Sequence, residues 1–163
     1  VKLLNEKFNL GLTESQMENY VRPLGSDCAF FIKNQPTLAH GKGDEFSLLQ
    51  LSLSGWHILM VYPGIHVSTK DAYAGVKPHH PFMAIEEILL TPPGTWRQHL
   101  HNQFEDTVFP LHPELAEIKQ QLYDQGAVYA SMSGSGSCVF GLFKEEPVTI
   151  AWPKQYKVFT GKL

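Results

Sequence analysis

Two apolar stretches, residues 128–132 and 137–143, are separated only by Ser133, Gly134, Ser135 and Gly136. A connection this short joins antiparallel strands, because parallel neighbours need a crossover of a dozen residues or more. This hairpin makes an antiparallel sheet the framework of the carboxyl-terminal half. Residues 57–62 form a third apolar run, set between Gly55 and Pro63-Gly64, and read as a central strand. Tyr156, Val158 and Thr160 recur at every second residue and predict a last strand.

Helical signals lie between these strands. Ser68 and Asp71 form an S-x-x-D cap for a short helix that carries Tyr73 and ends at Gly75. Phe82, Ile85 and Leu89 make a short helical face. Thr95 and Gln98 have capping-box spacing, and Trp96, Leu100, Phe104 and Val108 follow at intervals of four. Together they predict one helix of about three turns. Pro113 opens a further helix, whose Leu115, Ile118 and Leu122 face inward and whose stop signal is Gly126. Helices packed on one face of a largely antiparallel sheet define an α+β fold.

The amino-terminal part reads differently. Val1, Leu4 and Phe8 share a helical face, with no capping residue before them and Gly11 closing the helix. The chain also begins without Met. A longer parent chain and an artefact of expression or processing account for this start equally well. Thr13 and Gln16 form a capping box for a helix with Met17, Tyr20, Val21 and Leu24 inward, ended near Pro23. The apolar run 28–32 reads as a strand, 33–36 as a turn, 37–40 as a strand and 41–44 as a loop. Leu49, Leu51 and Leu53 alternate with polar residues and predict a half-buried strand. The change of pattern divides the chain into residues 1–48 and 49–163.

Composition narrows the function classes. At 163 residues the chain is one domain, or one domain plus part of another. The formal net charge of −3 argues against a nucleic-acid binder held by bulk charge. No run approaches the roughly 20 apolar residues of a membrane span, and no signal-peptide pattern opens the chain. Cys28 and Cys138 stand far apart, with no CxxC, and read as small buried hydrophobes in a reducing cytoplasm.

Three stretches carry candidate chemistry. Ser133, Gly134, Ser135 and Gly136 can offer backbone N–H groups and hydroxyls to an anion, although, taken alone, a glycine-rich hairpin is the plainer reading. The segment lacks the Gly-Lys-Ser/Thr ending of a Walker loop and leads into a strand. Asp27, between a helix end and an apolar run, can take a proton from a substrate hydroxyl; a turn-forming aspartate is the plainer reading. Ser68 and Thr69 open a capped helix and could form a ledge for a ligand, with Tyr73 able to stack on a planar base. The His79-His80 and His99-x-His101 pairs lack metal-ligand spacing, so no metal site is expected. There is no G-x-S-x-G elbow for a serine triad.

In order, "LGSDCAFF", "PGIHVSTKDAY" and "NQFEDTVFPLHPELAEIKQQLYDQGAVYASMSGSGSCVFGLF" resemble segments of the GHMP kinase superfamily. Within it they resemble the branch that phosphorylates a cytidine-diphosphate sugar alcohol in non-mevalonate isoprenoid precursor synthesis. Ala29 stands where that branch usually has proline. The resemblance fades after Phe143, where many relatives carry another helix. It implies the end of a ribosomal S5-like, ATP-binding amino-terminal domain over residues 1–48, and a ferredoxin-like carboxyl-terminal domain over 49–163. The ATP loop and further catalytic residues would lie upstream, leaving this piece inactive alone.

The resemblance also implies roles and partners. Asp27 would be the catalytic base. Ser68, Thr69 and Tyr73 would bind the substrate, and Ser133 to Gly136 would support the phosphate loop. The cofactors would be ATP and the Mg²⁺ that accompanies it; the partner would be a small molecule, with no nucleic acid and no membrane. Oligomeric state is not implied. The alternatives are a GHMP kinase of the homoserine or mevalonate type, and a non-catalytic binding or assembly domain.

Overall fold

The computed structural model describes residues 1–43, 45–77, 83–148 and 150–163. They form two compact units, Val1–Leu51 and Ser52–Leu163.

In the first unit, α1 (Lys2–Phe8) ends at Asn9, which takes the left-handed conformation at φ 50°. The stop therefore comes two residues before Gly11. Asn5 secures it, donating to the Leu12 carbonyl at 3.1 Å and accepting the Leu12 N–H at 2.9 Å. Helix α2 (Glu14–Val21) starts at the predicted capping box, with Thr13 and Gln16 bonded reciprocally. Met17 and Val21 are buried, but Tyr20 and Leu24 are exposed. Both depart from the expected inward placement; Tyr20 does so within α2 itself, whereas Leu24 falls in a 3₁₀ turn at Arg22–Leu24, around Pro23. A 3₁₀ turn has three residues per turn, so Leu24 leaves the stripe that the α period would give it.

The run 28–32 is not a strand. It folds as a 3₁₀ turn, Ser26–Cys28, and helix α3 (Phe30–Lys33), closed by Asn34 at φ 52°. Ala29 and Ile32, three residues apart on one helical face, pack with Met17 and Val21. A short apolar run has no period of its own that separates helix from strand. Strands β1 (Thr37–His40) and β2 (Glu45–Leu48) form an antiparallel hairpin, with Thr37 opposite Leu48. Residues 49–53 form no strand. Their burial still alternates, with Leu49, Leu51 and Leu53 more covered than their neighbours, but no ladder partner lies alongside.

The second unit is a four-stranded antiparallel sheet of β3 (His57–Tyr62), β4 (Tyr129–Met132), β5 (Val139–Phe143) and β6 (Lys157–Lys162). Its order is β4-β5-β3-β6, so the unit's first strand lies between its third and its last. This is the ferredoxin-like strand order, and the fold is α+β. Val61 faces Val139 on one side and Val158 on the other, fixing the central register.

Between β3 and β4 the described residues form α4 (Thr69–Gly75), α5 (Ile85–Leu90), α6 (Trp96–His99), α7 (Glu105–Leu111) and α8 (Pro113–Asp124). Leu115, Ile118 and Leu122 of α8 are fully buried, in one cluster with Leu59, Val61, Ala130 and Val139 of the sheet. Burying each such side chain contributes about 1.5–3 kcal/mol. No helix lies between β5 and β6 among the described residues.

The expected three-turn helix from Trp96 to Val108 is two helices, α6 and α7, with Leu100 extended between them. Thr95 does not cap it. Its hydroxyl instead bonds the Pro92 carbonyl and the Thr91 hydroxyl, each at 2.8 Å. In α5 the buried residue is Ile88, whereas Ile85 is exposed. Phe82, His79 and His80 lie outside the described residues, as does Asp44.

Candidate functional site

The second unit gathers two of the three candidate stretches. Ser68 caps α4 by accepting the Asp71 N–H at 3.3 Å, as its spacing requires. The next residue, Thr69, brings its hydroxyl 3.4 Å from that of Ser135, across 66 positions of sequence. The start of α4 and the β4–β5 turn therefore stand side by side.

The turn itself is tightly specified. Gly134 and Gly136 have φ of 55° and 96°, which a side chain tolerates poorly. A Cβ on Gly136 would also lie 2.8 Å from the Met132 sulfur. Gly136 donates its N–H to Ser133, and Ser133 donates to Cys138. Among the described residues, the N–H groups of Gly134 and Ser135 have no hydrogen-bond partner. Ser137 anchors the far side by donating to the Ile65 carbonyl at 2.5 Å. Two unpaired N–H groups in a left-handed turn, flanked by hydroxyls, form a surface that suits phosphate oxygens.

Two residues absent from the sequence-based candidates hold this turn from below. Asn102 donates through Nδ2 to the carbonyls of Met132 and Gly134, each at 2.8 Å. Its Oδ1 accepts the Phe104 N–H at 3.0 Å, closing a local turn just before α7. Glu105, 3% exposed, accepts the Met132 N–H at 2.8 Å and the Ser131 hydroxyl at 3.1 Å. Its second carboxylate oxygen meets the Lys119 ammonium, and His101 Nδ1 lies 3.8 Å away. A sequence signal existed: Asn102 and Glu105 have the N-x-x-E spacing of a helix start. The four-residue period of Trp96, Leu100, Phe104 and Val108 ran across it and concealed it.

Tyr73, on α4, is 64% exposed, with its ring edge-on to Phe104 at 4.8 Å. One ring face is thus free for a planar ligand. Burial pushes the Cys138 thiol pKa up, and Met132 is buried, so neither is poised for reaction.

Asp27 belongs to the first unit. It is exposed in the 3₁₀ turn Ser26–Cys28 and lines a cavity of about 280 Å³ with Phe30, Phe31, Thr37, Ala39 and Phe46. The rings of Phe30 and Phe31 meet edge-to-face at 5.2 Å. A carboxylate at the mouth of an apolar cavity suits a ligand with a hydroxyl beside a hydrocarbon surface. Among the described residues, no group of three or more His, Cys, Asp or Glu side chains could hold a metal ion, and no helix is long and apolar enough to cross a membrane.

Residues 84–154 match the family described as GHMP kinases C terminal. The whole chain is 52% identical over 166 residues to the 4-diphosphocytidyl-2-C-methyl-D-erythritol kinase of Bacteroides thetaiotaomicron, covering 60% of that protein. It is also 52% identical over 149 residues to the protein of the same name from Cytophaga hutchinsonii, covering 91% of this chain and 55% of that one. A crystal structure of a 4-(cytidine 5'-diphospho)-2C-methyl-D-erythritol kinase superposes with a TM-score of 0.73 at 29% identity, covering 86% of this chain and 51% of that one. A homoserine kinase structure from Cytophaga hutchinsonii, at 15% identity and TM-score 0.61, covers 98% of this chain and 61% of that one, and shares the fold. The chain thus spans between half and two thirds of the length of these relatives.

Proposed function

We propose that this protein, whose residues 84–154 match the GHMP kinases C-terminal family, phosphorylates a hydroxyl of 4-diphosphocytidyl-2-C-methyl-D-erythritol with ATP as the phosphate donor. The relatives at 52% identity carry that name. The observation that carries the reading into geometry is the approach of Thr69 to Ser135 at 3.4 Å. It brings the start of α4, the helix that carries Tyr73, against the glycine turn, which supports a shared ligand. A cytosine ring on Tyr73 and phosphate oxygens on the turn can then belong to one ligand.

Phosphoryl transfer relies on positioning and charge stabilisation rather than covalent help from the protein. Asp27 accepts the proton of the attacking alcohol, and the apolar walls of its cavity receive the carbon skeleton. Ser68 and Thr69 orient the diphosphate side, and Tyr73 holds the base. Gly134 and Ser135 present N–H groups to phosphate. The remainder of the nucleotide site is assigned to the upstream part of the kinase, with residues 1–48 the end of that domain. Mg²⁺ enters with the nucleotide's phosphates, and the enzyme works in the cytoplasm.

The test is substrate profiling of the full-length protein with ATP and Mg²⁺. Turnover of the cytidine-diphosphate sugar alcohol, and not of homoserine or mevalonate, is expected. Asp27→Ala loses a factor of about 10²–10⁴ in kcat, the usual contribution of a general base. Preference for homoserine, or an unaffected Asp27→Ala enzyme, would overturn the assignment.

A further inference from the structure

We propose that Asn102 is a positioning residue for the proposed kinase reaction: its side-chain amide holds the β4–β5 turn open toward phosphate. The inference rests on the function proposed above and adds a residue to it.

Three observations converge on Asn102. First, one NH₂ group spans two carbonyls on either side of the turn's entry, those of Met132 and Gly134, each at 2.8 Å. A turn whose carbonyls are drawn to one side presents its N–H groups to the other. Among the described residues, the N–H groups of Gly134 and Ser135, on the segment that also meets Thr69, have no partner, and neither do those of Ser137 and Cys138 just beyond it. Second, the chain breaks a helix to deliver this side chain. Leu100 is extended, and α7 starts afresh at Glu105. An unbroken helix would have satisfied more backbone groups at less cost, so the break points to a role for the intervening residues. Third, the neighbouring strand end is also held by Glu105, on the Met132 N–H. Asn102 therefore shares the strand end at Met132 with Glu105, and it alone of the two also holds the turn, at the Gly134 carbonyl.

Asn102→Asp separates the two jobs of the side chain. The aspartate keeps an oxygen to accept the Phe104 N–H, so the turn before α7 is retained. It loses both donors and, when ionised, faces two carbonyl oxygens. In the full-length kinase the melting temperature should stay within about 3 °C of wild type, while kcat falls by about tenfold or more. A protonated aspartic acid regains one donor. The variant-to-wild-type ratio of kcat should therefore rise at least about threefold as pH falls from about 8 to about 5.5. Asn102→Ala removes the donors without adding charge. It should show the same kcat loss with a ratio flat in pH.

A kcat within about twofold of wild type in both variants overturns the proposal. So does an Asn102→Asp ratio that stays flat with pH, or a kcat loss that merely follows a collapse in melting temperature. A wild-type enzyme that turns over no cytidine-diphosphate substrate sinks the underlying function instead, and is read before any variant.

Discussion

Gly75 and Thr107 meet so closely that a Cβ on Gly75 would lie 2.3 Å from the Thr107 methyl and 2.6 Å from its hydroxyl. The contact joins the end of α4 to α7, the two helices that carry Tyr73 and Glu105. Gly75→Ala should destabilise the protein by about 1–3 kcal/mol through overpacking. Adding Thr107→Ala should restore part of that loss, because it removes the two nearest atoms. Urea denaturation of the single and double variants measures both. Equal stability of Gly75→Ala and wild type would refute the close approach.

Glu105 is the most heavily used buried charge in the second unit, with the Met132 N–H, the Ser131 hydroxyl and the Lys119 ammonium on it. Glu105→Ala leaves a buried N–H and a half-covered ammonium without partners, and should cost about 3 kcal/mol. Glu105→Gln keeps acceptors for Met132 and Ser131 and loses only the ion pair. Its cost should be smaller, about 1 kcal/mol, because Lys119 retains access to water. The order of the two denaturation midpoints is the informative result. A glutamine variant as unstable as the alanine variant would mean that the ion pair dominates.

Local chemistry was legible from sequence, and long-range chemistry was not. The Thr13–Gln16 and Ser68–Asp71 caps formed where their spacing put them, since both partners lie within one helical turn. The sheet followed from the short β4–β5 link and the apolar runs. Asn102 was missed because its partners, Met132 and Gly134, lie 30 and 32 residues away and nothing local announces them. The run 28–32 was misread for a related reason. Its helical state is selected by Met17 and Val21 across the first unit, and a five-residue apolar stretch cannot encode that choice.

Tyr129 supplies a pH test of the core. Burial pushes its phenol up to about 12 from 10.0, with Glu105 adding to the rise and Ser131 opposing it. The neutral phenol is therefore favoured in the folded state. Its contribution to stability is complete below the unfolded value near 10, and is lost as pH rises through about 12. Stability should fall across that alkaline window, and less steeply in Tyr129→Phe, which keeps the edge-on contact with Trp96 at 5.8 Å. Tyr123 and Tyr156 are raised as well, so the slope should diminish without vanishing. Denaturation midpoints at stepped pH report it, and identical slopes in the two proteins would contradict the shift.

Tyr73 gives the sharpest activity test, because its ring is largely exposed and meets Phe104 edge-on. Base–aromatic stacking contributes about 1–3 kcal/mol. Tyr73→Leu should therefore raise KM for the cytidine-diphosphate substrate about tenfold, and Tyr73→Phe, which keeps the ring, should leave it within about twofold. The KM for ATP should move in neither, since the adenine is not assigned to this ring. Steady-state kinetics on the full-length enzyme, varying each substrate in turn, separates the two effects. A leucine variant with unchanged substrate KM would remove the base from Tyr73, and a parallel rise in the KM for ATP would show that the substitution disturbs α4 as a whole.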